Sequence, residues 1–251
     1  MATPEEKARW EGVTGRIHSV ETLGTLDGPG LRYVLFLQGC PLACQYCHNP
    51  DAIGFEGGTR TTAGKAVADM LRYRSFIASG GITLTGGEPL AQPRFAEAIL
   101  RLAAAEGVHT VVDTSGGMPL AVCRDAVDAA DLLLLDLKAM DTALCKRVSG
   151  KGNEDAKAML EHREATGAPV WIRHVVVPGL TLDFGELEEM AAYVARFHCV
   201  EQVELLPFHK MGEFKWAGLS RPYELADTPE PDRASMEKAR AIFRSHGLKV
   251  R

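Results

Sequence analysis

Three cysteines stand within eight residues of the segment CPLACQYCHNPD (40–51): Cys40, Cys44 and Cys47, in a C-x3-C-x2-C spacing with His48 directly behind. Thiolates bunched in this way hold soft metal centres. A closed zinc site needs a fourth thiolate or imidazole. His48 adjoins Cys47, and two neighbouring residues rarely chelate one tetrahedral ion well. Cys123, Cys145 and Cys199 are isolated in the sequence, where a lone cysteine usually acts as a small buried hydrophobe. An iron–sulfur cluster also normally takes four cysteines, so three would leave one iron open to a ligand that is not protein. Both readings stand on the spacing alone: a zinc knuckle completed by a distant residue, or a cluster with an open iron.

The residues that could work with the cysteines lie at the ends of short apolar runs. RYVLFLQG (32–39) leads into Cys40, and five further runs are GITLTGG (81–87), HTVVDTS (109–115), LLLLDLK (132–138), VWIRHVVVPG (170–179) and VELLPFH (203–209). Their length and β-branched content predict strands buried on both faces, as in a parallel sheet. Helix-like segments separate them at 61–78, 93–106, 120–130, 153–166 and 185–197, and another follows at 233–246. Strand and helix alternating in this way predict an α/β fold with a curved or closed parallel sheet of six strands. The segment 221–233, Pro-rich and acidic, reads as a surface loop.

The chemistry-bearing residues fall mostly at the C-terminal ends of these strands, where parallel α/β folds bind ligands. Gly86, Gly87 and Glu88 end the second; Asp113 and Thr114 end the third; Asp136, Leu137 and Lys138 end the fourth; His209 ends the sixth, and Arg173 lies within the fifth. A strand-end Asp can equally be a helix cap, and GGE can be only a tight turn. Arg173 on a buried strand needs a counter-charge. DGPG (27–30) reads as a turn, and FKW (214–216) as surface packing.

Across the 251 residues, 46% are hydrophobic and 24% charged, with a net charge of −5 and no block of like charges. That pattern disfavours nucleic acid or an anionic membrane as partner. No apolar run is long enough to span a bilayer, and the charged start MATPEEKARWEG is not a signal peptide. Cysteines bunched at metal-ligand spacing predict a reducing, cytoplasmic setting. Residues 1–14 read as an N-terminal extension to a single domain over 15–251.

C-x3-C-x2-C with Tyr46 before the last cysteine, followed by GGE on the next strand, resembles the radical S-adenosylmethionine superfamily. The stretch GRIHSVETLGTLDGPGLRYVLFLQGCPLACQYCHNPD (15–51) narrows the resemblance to its glycyl-radical-enzyme activating family, of the pyruvate formate-lyase type. TLTGGEPL, VVDTSG, LLLDLK, VWIRHVVVPG and ELLPFHKMGEFKW extend it over most of the chain after residue 14. Many activases of other glycyl radical enzymes carry a cysteine-rich insert between the cluster loop and the GGE strand, where residues 48–84 here hold no cysteine.

The resemblance implies a partial parallel (β/α)6 barrel and a 4Fe–4S cluster on Cys40, Cys44 and Cys47, its open iron chelated by S-adenosylmethionine. It implies that Tyr46 and His48 lie beside the adenine, and that Gly86, Gly87 and Glu88 meet the methionine amino group. Asp136, Leu137 and Lys138 would border the same cofactor. Arg173 would meet the methionine carboxylate or an Asp, and His209 the ribose or adenine. Asp113, Thr114 and Asp136 would hold a monovalent cation. DGPG would lie over the active-site mouth, where Asp27 would approach the backbone of a glycine-bearing loop of the protein substrate. A monomer reduced by a low-potential flavodoxin or ferredoxin is the family expectation. Competing readings are a small-molecule radical enzyme of the carboxy-deazaguanine synthase type, and a metal-containing binding protein without chemistry.

Overall fold

The computed structural model describes residues 3–251. In chain order the elements are α1 (Pro4–Glu11), β1 (Thr14–Gly24), β2 (Arg32–Leu37), β3 (Thr59–Thr62), α2 (Ala63–Leu71), β4 (Gly81–Gly86), α3 (Pro93–Ala105), β5 (Thr110–Thr114), α4 (Leu120–Asp128), β6 (Leu132–Asp136), α5 (Thr142–Ser149), α6 (Glu154–Thr166), β7 (Val170–Val176), α7 (Phe184–Val194), β8 (Val200–Pro207), α8 (Glu213–Gly218) and α9 (Arg233–Ser245). The strands form one sheet in the order β3-β1-β2-β4-β5-β6-β7-β8. β2–β4, β4–β5 and β7–β8 pair in parallel, whereas β1 runs antiparallel to both β2 and β3.

All six expected strands are present as β2 and β4 to β8. The sequence reading missed two. β1, TGRIHSVETLG, is largely polar and mostly exposed or half-buried, and β3 is four residues long. Neither has the continuous apolar run that marks a strand covered on both faces. Among the helices, α2 stops at Leu71, short of the expected end at 78, and α1, α5 and α8 are short elements not foreseen.

The chain divides into two compact units. The first comprises Met1–Pro41, Ala52–Thr114 and Met118–Leu134, and the second Leu42–Asp51, Ser115–Gly117 and Leu135–Arg251. In the first, Val34, Leu35 and Leu37 of β2 and Ile82 and Leu84 of β4 are buried with Ile99 and Leu100 of α3. Here α1 is closed by a reciprocal cap: the Thr3 hydroxyl accepts from Glu6 N, and Thr3 N donates to the Glu6 carboxylate. Residues 1 and 2 of the expected extension lie outside the described residues.

In the second unit, Val170, Ile172 and Val176 of β7 are buried with Val203 of β8 and Leu187 and Met190 of α7. Asp141, Asp183 and Asp232 cap α5, α7 and α9 by accepting from backbone N–H groups of the first turn. Among the described residues, no helix is long and apolar enough to cross a membrane.

Candidate active site

In the first unit, β2 delivers Cys40 three residues beyond its end. Cys40 N donates to Ile53 O and Gly39 N to Ala52 O, at 3.0 and 2.8 Å, which fixes the backbone that presents the thiol. The turn after β4 comes alongside. Gly87 N donates to Leu37 O and Glu88 N to Gly39 O, both at 2.8 Å. This approach requires glycine: a Cβ on Gly86 would lie 2.5 Å from Leu37 N, and one on Gly87 would lie 2.4 Å from Gly39 O.

Glu88 is fully buried. Its Oε1 accepts from Leu90 N at 3.0 Å and from the Thr114 hydroxyl at 2.8 Å, so the carboxylate is oriented by its own turn and by the end of β5. Asp113 Oδ2 accepts from the Thr85 hydroxyl at 2.8 Å. Asp113 is no helix cap, because Pro119 occupies the N-cap of α4. Asp136 in the second unit is none either, because Asp141 takes that position on α5.

DGPG lies elsewhere in the first unit. Asp27 to Gly30 precede Arg32, whose register partner is Gly81, the first residue of β4. The loop thus stands at the N-terminal ends of β2 and β4, opposite to the ends that carry Cys40 and Glu88.

In the second unit, the cysteine loop is pinned from several sides. Ala43 N and Gln45 N donate to the last carbonyls of α5, Ser149 O and Val148 O. Tyr46 is buried with Val148, Val177, Phe208 and Leu225. The Trp216 indole donates to Cys47 O at 2.9 Å, and Lys215 reaches Asn49 and Asp51. The FKW stretch thus does more than the surface packing expected of it, although Phe214 is 71% exposed. His48 stacks on His209 with ring centroids 4.2 Å apart, and His48 Nε2 donates to His209 O at 2.9 Å.

The end of β6 adds charge. Lys138 Nζ lies 2.5 Å from Asp136 Oδ2 and 5.2 Å from the centre of the Tyr46 ring. Burial works against the Lys138 ammonium, but Asp136, Tyr46 and Cys44 outweigh it and hold its pKa well above the usual lysine value. Leu137 contributes its backbone: its N–H donates to Arg173 O, and its carbonyl accepts from His174 Nδ1 at 2.7 Å. Arg173 finds its counter-charge in Glu204, its register partner on β8, with Nε donating to Oε2 at 3.0 Å. Sequence separation hid that partner, and nothing in the sequence singled out the fully buried His174.

None of the described cysteines is in a disulfide; Cys40, Cys44 and Cys47 are half-buried. Burial pushes the Cys44 thiol up to about 12 and raises that of Cys47. Such thiols are poor free nucleophiles, whereas a bound metal centre displaces their protons. Among the described residues, no three His, Cys, Asp or Glu side chains are already grouped to hold a metal ion. The donor set nevertheless suits a soft cluster. The second unit also has polar atoms left over: Tyr46 Oη, Asp136 Oδ1 and His209 Nδ1 are buried without a hydrogen-bond partner. Buried polar atoms are normally paired, so these three suit a polar cofactor.

Residues 34–193 match the model of the radical SAM superfamily. Over 244 residues the chain is 41% identical to a pyruvate formate-lyase-activating enzyme of Streptococcus mutans, covering 93% of each chain. It is 40% identical over 228 residues to the enzyme of that name from Clostridium pasteurianum, covering 90% of this chain and 95% of the relative. The crystal structure of a radical SAM methyltransferase from Sphaerobacter thermophilus shares the fold with a TM-score of 0.64 at 18% identity, covering 100% of this chain and 74% of that one. The chain therefore belongs to the radical SAM superfamily and, within it, to the family of pyruvate formate-lyase-activating enzymes.

Proposed function

We propose that this protein activates a glycyl radical enzyme, of the pyruvate formate-lyase type, by reductive cleavage of S-adenosylmethionine. The observation that carries the reading is the C-x3-C-x2-C spacing of three half-buried thiols. Similarity over 93% of the chain to a protein named for that activity supports it.

Cys40, Cys44 and Cys47 hold the 4Fe–4S cluster, and a fourth protein ligand is not needed. Together with S-adenosylmethionine the cluster supplies a 5′-deoxyadenosyl radical, which takes a hydrogen atom from the Cα of the partner's glycine. Glu88 accepts charge-assisted hydrogen bonds from the methionine amine beside the backbone of Gly86 and Gly87. Asp136, the backbone of Leu137 and Lys138 border the same cofactor, and Arg173, whose Nε pairs with Glu204, meets its methionine carboxylate. Tyr46, His48 and His209 flank the adenosine. Asp113, Thr114 and Asp136 offer hard oxygen donors of the kind a monovalent cation takes.

Asp27 meets the partner's glycine loop, which then approaches from the N-terminal side of β2 and β4. Glycine suits this role because it lets backbones come close. The domain carrying the chemistry is residues 15–251, with 1–14 as an extension. The protein works as a cytoplasmic monomer reduced by a low-potential flavodoxin or ferredoxin.

Anaerobic reconstitution, reduction and addition of S-adenosylmethionine should generate a glycyl-radical doublet by paramagnetic resonance in a pyruvate formate-lyase-type partner. A partner Gly→Ala variant should give none. Cofactor cleavage with no doublet in the intact partner would overturn the reading in favour of a small-molecule substrate.

A further inference from the structure

The N-terminal ends of β2 and β4 hold a fully buried guanidinium that the chemistry above does not use, that of Arg32. Its Nε donates to the Thr83 hydroxyl at 2.6 Å. Its Nη1 donates to Pro29 O at 2.9 Å. Its Nη2 donates to Ile82 O at 2.6 Å and to His109 O at 3.2 Å. The Thr83 hydroxyl passes the hydrogen bond on to Asp27 O at 2.6 Å. One planar fork thus fixes two carbonyls of DGPG, Pro29 directly and Asp27 through Thr83.

Two features separate this arrangement from ordinary core filling. First, the hydrogen bonds of Arg32 run to carbonyls, a hydroxyl and the His109 ring. Burial pulls the Arg32 pKa down to about 10, against the pull of Asp27 and Asp131. Packing alone would be served better by an apolar side chain. Second, Pro29 alone stiffens the loop from within. Gly28 and Gly30 take φ values of +119° and +72°. A Cβ on Gly30 would lie 2.2 Å from Ser79 O, so the loop must lie close against the start of β4 without a side chain to lock it. External hydrogen bonds have to set its shape.

We propose that Arg32, with Thr83 as its relay, is a positioning residue that holds the DGPG loop in the shape that receives the protein substrate. This rests on the reading that Asp27 meets the partner's glycine loop. A lysine cannot replace the fork, because it is a single point donor.

The test compares Arg32→Lys, Thr83→Val and the conservative Thr83→Ser. Amide hydrogen exchange over 24–31, measured on the protein without partner or turnover, should speed up in Arg32→Lys and Thr83→Val but not in Thr83→Ser. With reduced protein and partner, the first two variants should raise the KM for partner by about ten-fold, the loss of one hydrogen bond to a charged group. They should also lower the yield of glycyl radical per cofactor cleaved, while the KM for S-adenosylmethionine rises much less. Thr83→Val is nearly isosteric and serves if Arg32→Lys fails to fold.

Unchanged exchange over 24–31 in Thr83→Val would overturn the clamp. Equal rises in both KM values would reduce Arg32 and Thr83 to a structural role and also overturn it. A wild-type doublet combined with an unchanged partner KM in the variants would overturn this inference alone. Wild-type protein that cleaves the cofactor and forms no doublet would overturn the activase reading, and this inference with it.

Discussion

The two ends of the strands treat their polar groups differently. At the N-terminal ends, the Arg32 guanidinium is spent on protein: Thr83, Pro29, Ile82 and His109 take its hydrogens. Asp131 there accepts from both the backbone and the hydroxyl of Thr110. At the start of β8, Glu164 likewise accepts from Cys199 N at 2.8 Å and from His198. At the C-terminal ends, Asp136 uses one carboxylate oxygen on Lys138 and leaves the other buried and unpartnered. His209 offers its carbonyl to His48 while its Nδ1 stays unpartnered. The side chains of Arg32, Asp131 and Glu164 are thus taken up by the fold, whereas Asp136 and His209 each keep one buried atom without a hydrogen-bond partner. An unpaired buried polar atom costs free energy, so these unpartnered atoms of the second unit are candidates for holding a ligand.

The largest effects should come from the thiols. Cys40→Ala, Cys44→Ala or Cys47→Ala should each abolish the cluster and all cofactor cleavage, as read by iron and sulfide content and by 5′-deoxyadenosine. Cys123→Ala, Cys145→Ala and Cys199→Ala should keep both. Loss of the cluster in any of the latter three would break the open-iron account.

Next come the polar groups at the C-terminal ends. Glu88→Gln and Lys138→Ala should retain the fold and cluster but weaken S-adenosylmethionine binding by about ten- to a hundred-fold, or about 1.5–3 kcal/mol. Titration calorimetry giving wild-type affinity would remove those side chains from the site. A smaller effect is expected behind the cysteine loop. Trp216→Phe deletes the indole hydrogen bond to Cys47 O, which should lower the stability of the loop by about 1 kcal/mol. Hydrogen exchange over 44–51 should report this, and unchanged protection would show that α8 merely covers the loop.

The smallest effect lies at the N-terminal ends and is recognised by its loss at low pH. Hydrogen bonds from Cys199 N and then from His198 lower Glu164 from 4.5 to about 2. A carboxylate with a depressed folded pKa contributes stability above its unfolded pKa, and loses it as pH falls through the folded value. Thermal melts should therefore show the wild type losing its advantage over Glu164→Gln as pH falls from 4.5 towards 2. Parallel melting curves for the two proteins throughout that range would show that Glu164 is not held by these bonds.

How much of this could be read from the chain depends on how local each signal is. β6, LLLLD, has its first four residues fully or almost fully buried, and a run of that kind announces a covered strand whatever its neighbours are. The C-x3-C-x2-C spacing is equally local. β1 escaped notice because its pattern belongs to a half-exposed antiparallel strand carrying Arg, His and Glu. The charge partners escaped for a different reason. Arg173 and Glu204 face each other only through the β7–β8 register, and Arg32 meets Thr83 and His109 only once β2, β4 and β5 are aligned. DGPG was recognisable as a turn just ahead of β2, but that the start of β4 lies beside it follows only from the β2–β4 register.

The central claim is that Cys40, Cys44 and Cys47 hold a cluster with one iron open to S-adenosylmethionine, and that the atoms left over at the C-terminal strand ends receive the rest of that cofactor. The most direct test is the paramagnetic resonance spectrum of the reduced, reconstituted protein before and after S-adenosylmethionine is added, on a background in which Cys123, Cys145 and Cys199 are all alanine. The account predicts a 4Fe–4S signal that shifts on addition of the cofactor. A spectrum that does not respond, or a preparation that holds zinc and no iron, would contradict it.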